Sequence, residues 1–168
     1  MNDIRTKRIT REQYAMLRRR LVRRDQLICD IMLQTGYRIS DVLSLQKSQL
    51  KSCRLDIVEQ KTGKRRITHI ASRTLEQLRK YATHERGPLL FDVAPSTVYR
   101  HITQAAKSLG YKNISAHSFR KLYAWEYCQR YGLAATQKEM LHENIETTIL
   151  YVYDINEITM KIEKEVEE

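Results

Sequence analysis

The chain has 168 residues, with 30 Lys and Arg against 20 Asp and Glu and a formal net charge of +10. That length suits one domain with a real core, and the basic balance favours a polyanionic partner, most simply nucleic acid. A charged N-terminus without a signal-type apolar run, and no stretch approaching the ~20 apolar residues that span a bilayer, speak against secretion and membrane insertion and predict a cytoplasmic protein.

The first 24 residues hold Arg5, Lys7, Arg8, Arg11, Arg18, Arg19, Arg20, Arg23 and Arg24 against Asp3 and Glu12, a strongly basic front. An amphipathic helix is expected over 11–20. A second is expected over 25–35, where Leu27/Ile28 and Ile31/Met32 repeat at four-residue spacing and Gly36 supplies the stop. Ser40 reads as the cap of a short helix over 41–45. Residues 53–59 and 65–71 alternate imperfectly and carry Leu55, Ile57, Val58, Ile67 and Ile70. Lys61-Thr62-Gly63-Lys64 between them reads as a hairpin tip.

Further helices are expected over 72–84, 96–109 (Ser96 cap, Gly110 stop), 116–131 (Ser115 cap, Gly132 stop), 136–142 and 145–152. Thr136 and Glu139 have the spacing of a capping box. The tail 155–166 places Ile155, Ile158, Ile162 and Val166 on one stripe of an acidic helix, an apolar face that needs a cover. The predicted class is mostly α with a small antiparallel β-sheet. Cys29, Cys53 and Cys128 are far apart and form no CxxC or Cys/His cluster, so no structural zinc is expected, and three unpaired thiols fit a reducing compartment.

Chemistry-bearing groups are spread along the chain. Arg38 follows Gly36 and precedes a helix start, where a guanidinium fork and free backbone N–H groups suit a phosphate. Lys61 at the hairpin tip is a candidate general acid, and Lys64 is not excluded from that role by chemistry. Lys64, Arg65 and Arg66 make the hairpin a basic finger for DNA. His117 and Arg120 lie three apart at a helix start and share a face, while Phe119, Leu122, Tyr123 and Tyr127 form the core stripe. His142 ends a helix nine residues before Tyr151, and Tyr153 competes with Tyr151 as a phenol.

Taken in order, these pieces resemble the catalytic domain of the tyrosine recombinase (phage integrase) family, over about Ile28 to Tyr153. Thr35-Gly36-Tyr37-Arg38-Ile39-Ser40-Asp41 resembles its first-arginine box, Gln60-Lys61-Thr62-Gly63-Lys64 its catalytic-lysine hairpin, and His117-Ser118-Phe119-Arg120 its H-x-x-R motif. His142 through Tyr151, with Thr147-Thr148 between, is similar to its histidine and nucleophilic tyrosine. Met140-Leu141-His142 departs from the usual Leu-Gly-His.

The resemblance implies that residues 1–168 form the catalytic domain, without the N-terminal core-binding domain of relatives. It implies attack by Tyr151 on a DNA phosphodiester, His117 as base and Lys61 as acid. Arg38, Arg120 and His142 would hold the phosphate and Asp41 would orient Arg38, with no metal, cofactor or ATP. The implied partner is double-stranded DNA in the nucleoid of a prokaryote or phage host. The protein would be a monomer when free and a tetramer on DNA, with the tail as a plug between protomers. The alternatives are type IB topoisomerase-like relaxation, or a DNA-binding domain of this fold that has lost activity.

Overall fold

The computed structural model describes residues 6–153. The expected tail helix therefore lies outside the described residues. Helix α1 (Arg11–Arg18) opens on a reciprocal cap, with Thr10 Oγ1 accepting from the Gln13 N–H and Gln13 Oε1 from the Thr10 N–H. Helix α2 (Arg23–Thr35) buries Leu27, Ile28, Ile31 and Met32 at the centre of the main core. It ends where Gly36 takes φ +65°, donating its N–H to the Met32 carbonyl at 2.9 Å. Glycine is required there twice over. The conformation is left-handed, and a Cβ would sit 2.3 Å from Tyr123 Cδ1.

Arg38 is itself the N-cap residue of the short α3 (Ile39–Leu43), so Ser40 lies inside that helix instead of capping it. The hairpin follows as β1 (Arg54–Val58) and β2 (Arg65–His69), antiparallel, with Leu55 opposite Thr68 and Ile57 opposite Arg66. Tyr37 pins it to the end of α2 by donating to the Leu55 carbonyl at 3.3 Å. Helices α4 (Ser72–Ala82) and α5 (Pro95–Ser108) come next. The N-cap of α5 is Ala94 with Pro95 in the first turn, so Ser96 is not the cap.

Helix α6 (Ala116–Glu139) starts on Ser115 as expected and is broken at Gly132, whose φ 80° and ψ 170° are non-helical. The expected capping box at Thr136 and Glu139 does not form. Thr136 donates back to the Gly132 carbonyl at 2.8 Å, and Glu139 turns toward the hairpin. Helix α7 (Ile145–Val152) packs on α6, and α6 packs on α2. Ala124, Cys128, Met140, Tyr151 and Val152 make a second small core between α6 and α7. Of the three thiols, Cys29 and Cys128 are buried and Cys53 is half-buried; none is bonded to another. No helix among the described residues is long and apolar enough to cross a membrane.

The basic front is less free than its charge suggests. Arg11 pairs with Glu126 at 2.5 Å, Arg18 with Asp30 at 2.8 Å and Arg24 with Asp25 at 2.9 Å. Arg8 lies over the Trp125 ring at 4.5 Å and donates to the Val152 carbonyl at 2.8 Å, which places a cation at the C-terminus of the helix that carries Tyr151.

Candidate active site

The site begins at the C-terminal end of α2. Carbonyl groups left over at a helix end attract cations, and here two guanidinium groups take them. Arg66 donates to the Thr35 carbonyl at 2.7 Å and reaches the Gly36 carbonyl at 3.4 Å. Arg120, from the second turn of α6, donates to the same Gly36 carbonyl and to the Met140 carbonyl at 3.3 Å. The αL turn at Gly36 aims that carbonyl and also clears space for Tyr123. Arg120 is fully buried. Burial, then the like charges of Arg38 and Arg66, bring its pKa down to about 10, so it remains a cation at neutral pH.

Arg38 joins this group through Glu59. The Arg38 guanidinium donates to Glu59 Oε2 at 2.6 Å, and Arg66 lies 3.4 Å from Glu59 Oε1. Glu59 is fully buried. Burial pushes its carboxyl pKa up, but Arg38, Arg120 and Arg66 together more than offset that and hold it below the usual glutamate value. Arg66 also pairs with Glu139 at 2.9 Å, and the Tyr123 hydroxyl donates to the same Glu139 oxygen at 2.7 Å. A continuous charge network, buried at Glu59, Arg66 and Arg120 and partly exposed at Arg38 and Glu139, therefore joins the hairpin, the end of α2 and the end of α6.

His142 and Tyr151 close the other side. His142 follows α6 through a helix-ending turn in which the His142 N–H donates to the Gln137 carbonyl and the Leu141 N–H to the Lys138 carbonyl, both at 3.1 Å. This turn needs a left-handed residue, and Leu141 supplies it at φ +54°. At this departure from Leu-Gly-His the leucine itself takes the left-handed conformation that glycine adopts readily, and which a leucine disfavours. His142 Nδ1 lies 3.0 Å from Thr148 Oγ1. Its ring is 4.9 Å from the Tyr151 ring, and Arg120 Cζ is 5.7 Å from that ring centroid. Burial, with Arg120 and Arg38 nearby, lowers the His142 pKa to about 4. Arg120 Nε and His142 Nε2 are buried with no hydrogen-bond partner among the described residues.

The expected residues thus divide. Arg38, Arg120, His142 and Tyr151 converge on one cluster. Tyr151 is 6% exposed, while Tyr153 caps the end of α7. His117 lies on the first turn of α6, its ring stacked on Tyr99 with centroids 6.5 Å apart. Lys61 is exposed on the hairpin tip and bonds no described residue. Lys64 reaches Glu143 at 3.7 Å, which places the tip beside the His142 loop.

Two expectations need correction. Arg66 is no exposed DNA contact, since it is 4% exposed and its two terminal nitrogens bond Thr35, Gly36, Glu59 and Glu139 inside the fold; Arg65 is the exposed one, paired with Asp56 at 2.5 Å. Asp41 does not hold Arg38. It is buried, and its Oδ1 accepts from the Gln60 N–H at 3.0 Å, which seats the shoulder of the hairpin. Glu59, not Asp41, is the carboxylate that bonds Arg38, and sequence reasoning missed it. The signal was in the two-residue alternation. Leu55 and Ile57 share the buried face of β1 and Glu59 continues that alternation one residue past its end, as Arg66 and Thr68 share one face of β2, so a carboxylate and a guanidinium stood in core register.

The phage integrase family model matches residues 7–157. Tyrosine recombinase XerA of Saccharolobus solfataricus is 28% identical over 134 residues, covering 77% of this chain and 46% of that protein. Two solved structures share the fold. The XerA recombinase crystal structure has a TM-score of 0.74 at 19% identity, over 94% of this chain and 64% of that one. A lambda integrase tetramer bound to a Holliday junction has a TM-score of 0.74 at 19% identity, over 92% of this chain and 50% of that one. This chain therefore spans about half to two thirds of those relatives' length. With the family model covering most of its length, the chain belongs to the phage integrase family.

Proposed function

We propose that this chain is the catalytic part of a site-specific recombinase that cleaves and rejoins double-stranded DNA through a 3′-phosphotyrosyl intermediate. One observation carries the reading. Arg120 and His142 lie against the Tyr151 ring, Arg38 is near enough to act on both through its charge, and Arg120 Nε and His142 Nε2 are buried with no hydrogen-bond partner among the described residues. Buried donors are expected to be satisfied, and a phosphodiester has two non-bridging oxygens that would do so. With a side chain 16% exposed, against 3% for Arg66 and a fully buried Arg120, Arg38 is the outermost of these guanidinium groups and the edge at which a phosphate would enter.

In the reaction the Tyr151 oxygen bonds to phosphorus and the P–O5′ bond breaks. The phenol gives up its proton and the departing 5′ oxygen takes one. His117 is the proposed base and Lys61 the proposed acid. Arg38, Arg120 and neutral His142 stabilise the added charge on the phosphate, in a setting where one well-placed donor contributes about 3–4 kcal/mol. The 3′ linkage conserves the bond energy, so a 5′-hydroxyl from a second duplex can reverse the step and complete an exchange. Several protomers on two duplexes, in the cytoplasm at the nucleoid, complete the proposal.

Incubating the full chain with a randomised pool of nicked suicide duplexes tests this. The expected result is a covalent adduct on a denaturing gel, lost in Tyr151→Phe while DNA binding remains. Binding without any adduct would favour a domain that has kept the fold and lost the chemistry.

A further inference from the structure

Glu59 is a fully buried carboxylate at the point where the hairpin closes, and the mechanism above gives it no task. Its backbone and side chain are both engaged. The Glu59 N–H donates to the Lys64 carbonyl at 2.9 Å, and the Gly63 N–H donates to the Glu59 carbonyl at 2.8 Å. Its Oε2 accepts from Thr62 Oγ1 at 3.1 Å and from Arg38 at 2.6 Å, while Oε1 faces Arg66 at 3.4 Å. One side chain thus touches the residue beside Lys61, the outer guanidinium and the inner one. Arg38 uses a single nitrogen for this contact, and its remaining nitrogens bond no described residue.

We propose that Glu59 is a positioning residue that fixes Arg38 against the Lys61 turn by one edge of its guanidinium and leaves the other edge for the DNA phosphate. The proposal rests on the recombinase reading and deepens it. An uncompensated set of Arg38, Arg66 and Arg120 would repel itself, and Glu59 offsets that repulsion while no DNA is bound. It also means that a carboxylate competes with the phosphate for Arg38. A positioning role and a merely structural one therefore separate: without the charge, DNA should bind no more weakly, yet react more slowly because Arg38 and Lys61 are no longer held in register.

The test compares the native chain with Glu59→Gln and Glu59→Asp on a suicide duplex recovered from the pool. Glu59→Gln keeps the shape and removes the charge. Glu59→Asp keeps the charge but is one methylene too short to span Thr62 and Arg38. In both, the rate of adduct formation is expected to fall on the order of 10- to 100-fold, with the Kd for DNA unchanged or tighter. Part of the loss is expected to be recovered on a duplex with a 5′-thiolate leaving group, which needs no acid. Should Glu59→Gln fail to fold, Glu59→Asp decides alone. A rate within about threefold of native, or rate and affinity falling together, would overturn the proposal. If the native chain forms no adduct, the recombinase reading fails separately. Amide exchange at 60–64 then judges Glu59, and an unchanged pattern in Glu59→Gln overturns its role.

Discussion

Arg11 and Arg66 both pair with carboxylates, yet the two pairs do different work. Arg11 and Glu126 sit on the surface, with 51% and 29% of their side chains exposed. Arg66 and Glu59 are at 3% and 0%. The surface pair is screened by water and contributes little to stability. The buried set carries a desolvation cost that only mutual contact offsets, so each member depends on the others. The basic front and the interior cluster look alike in a charge count, but only the cluster gathers three guanidinium groups around one fully buried carboxylate.

Substituting across that divide gives the largest contrast. Arg66→Leu is expected to destabilise the chain by about 3–5 kcal/mol, because Glu59 and Glu139 lose a buried partner. Arg11→Ala is expected to cost about 1 kcal/mol or less. Urea unfolding of both variants measures this, and equal losses would erase the distinction between the two regions.

His142 provides a pH test of the same interior. Its folded pKa of about 4 lies below the usual 6.5. Between those values the unfolded chain binds a proton that the folded chain does not, so stability rises with pH across the window and is lost as pH falls from 6.5 toward 4. Below the folded value the contribution levels off. His142→Asn should flatten this part of the curve, and an unchanged slope would mean that the imidazole is not held in the cationic cluster.

The smallest effect concerns Leu141. Its φ of +54° already gives the turn that glycine would give. Leu141→Gly should therefore leave adduct formation within about threefold of native and relieve backbone strain of about 1 kcal/mol. A large gain in rate would show that the leucine displaces His142.

Much of this was legible in the sequence. The ends of α2 and α6 were marked by Gly36 and by Ser115, and the hairpin by the turn between two alternating runs. Ser40 and Ser96 misled because a cap depends on where the chain enters a helix, and Arg38 and Ala94 occupy those entries. Arg38, Arg120, His142 and Tyr151 were singled out by their motifs and the family resemblance, and the fold brings them into one cluster. The buried state of Arg66, and its link to Glu139, joins residues 73 apart in the chain, a pairing that no local pattern encodes. Glu59 was visible in the strand register but was passed over because acidic residues are expected outside.

The most direct test of the central claim is mass spectrometry of the peptide left on DNA after proteolysis of a trapped adduct. The account predicts a phosphodiester link to the Tyr151 oxygen. A link at Tyr153, or at any other side chain, would contradict it.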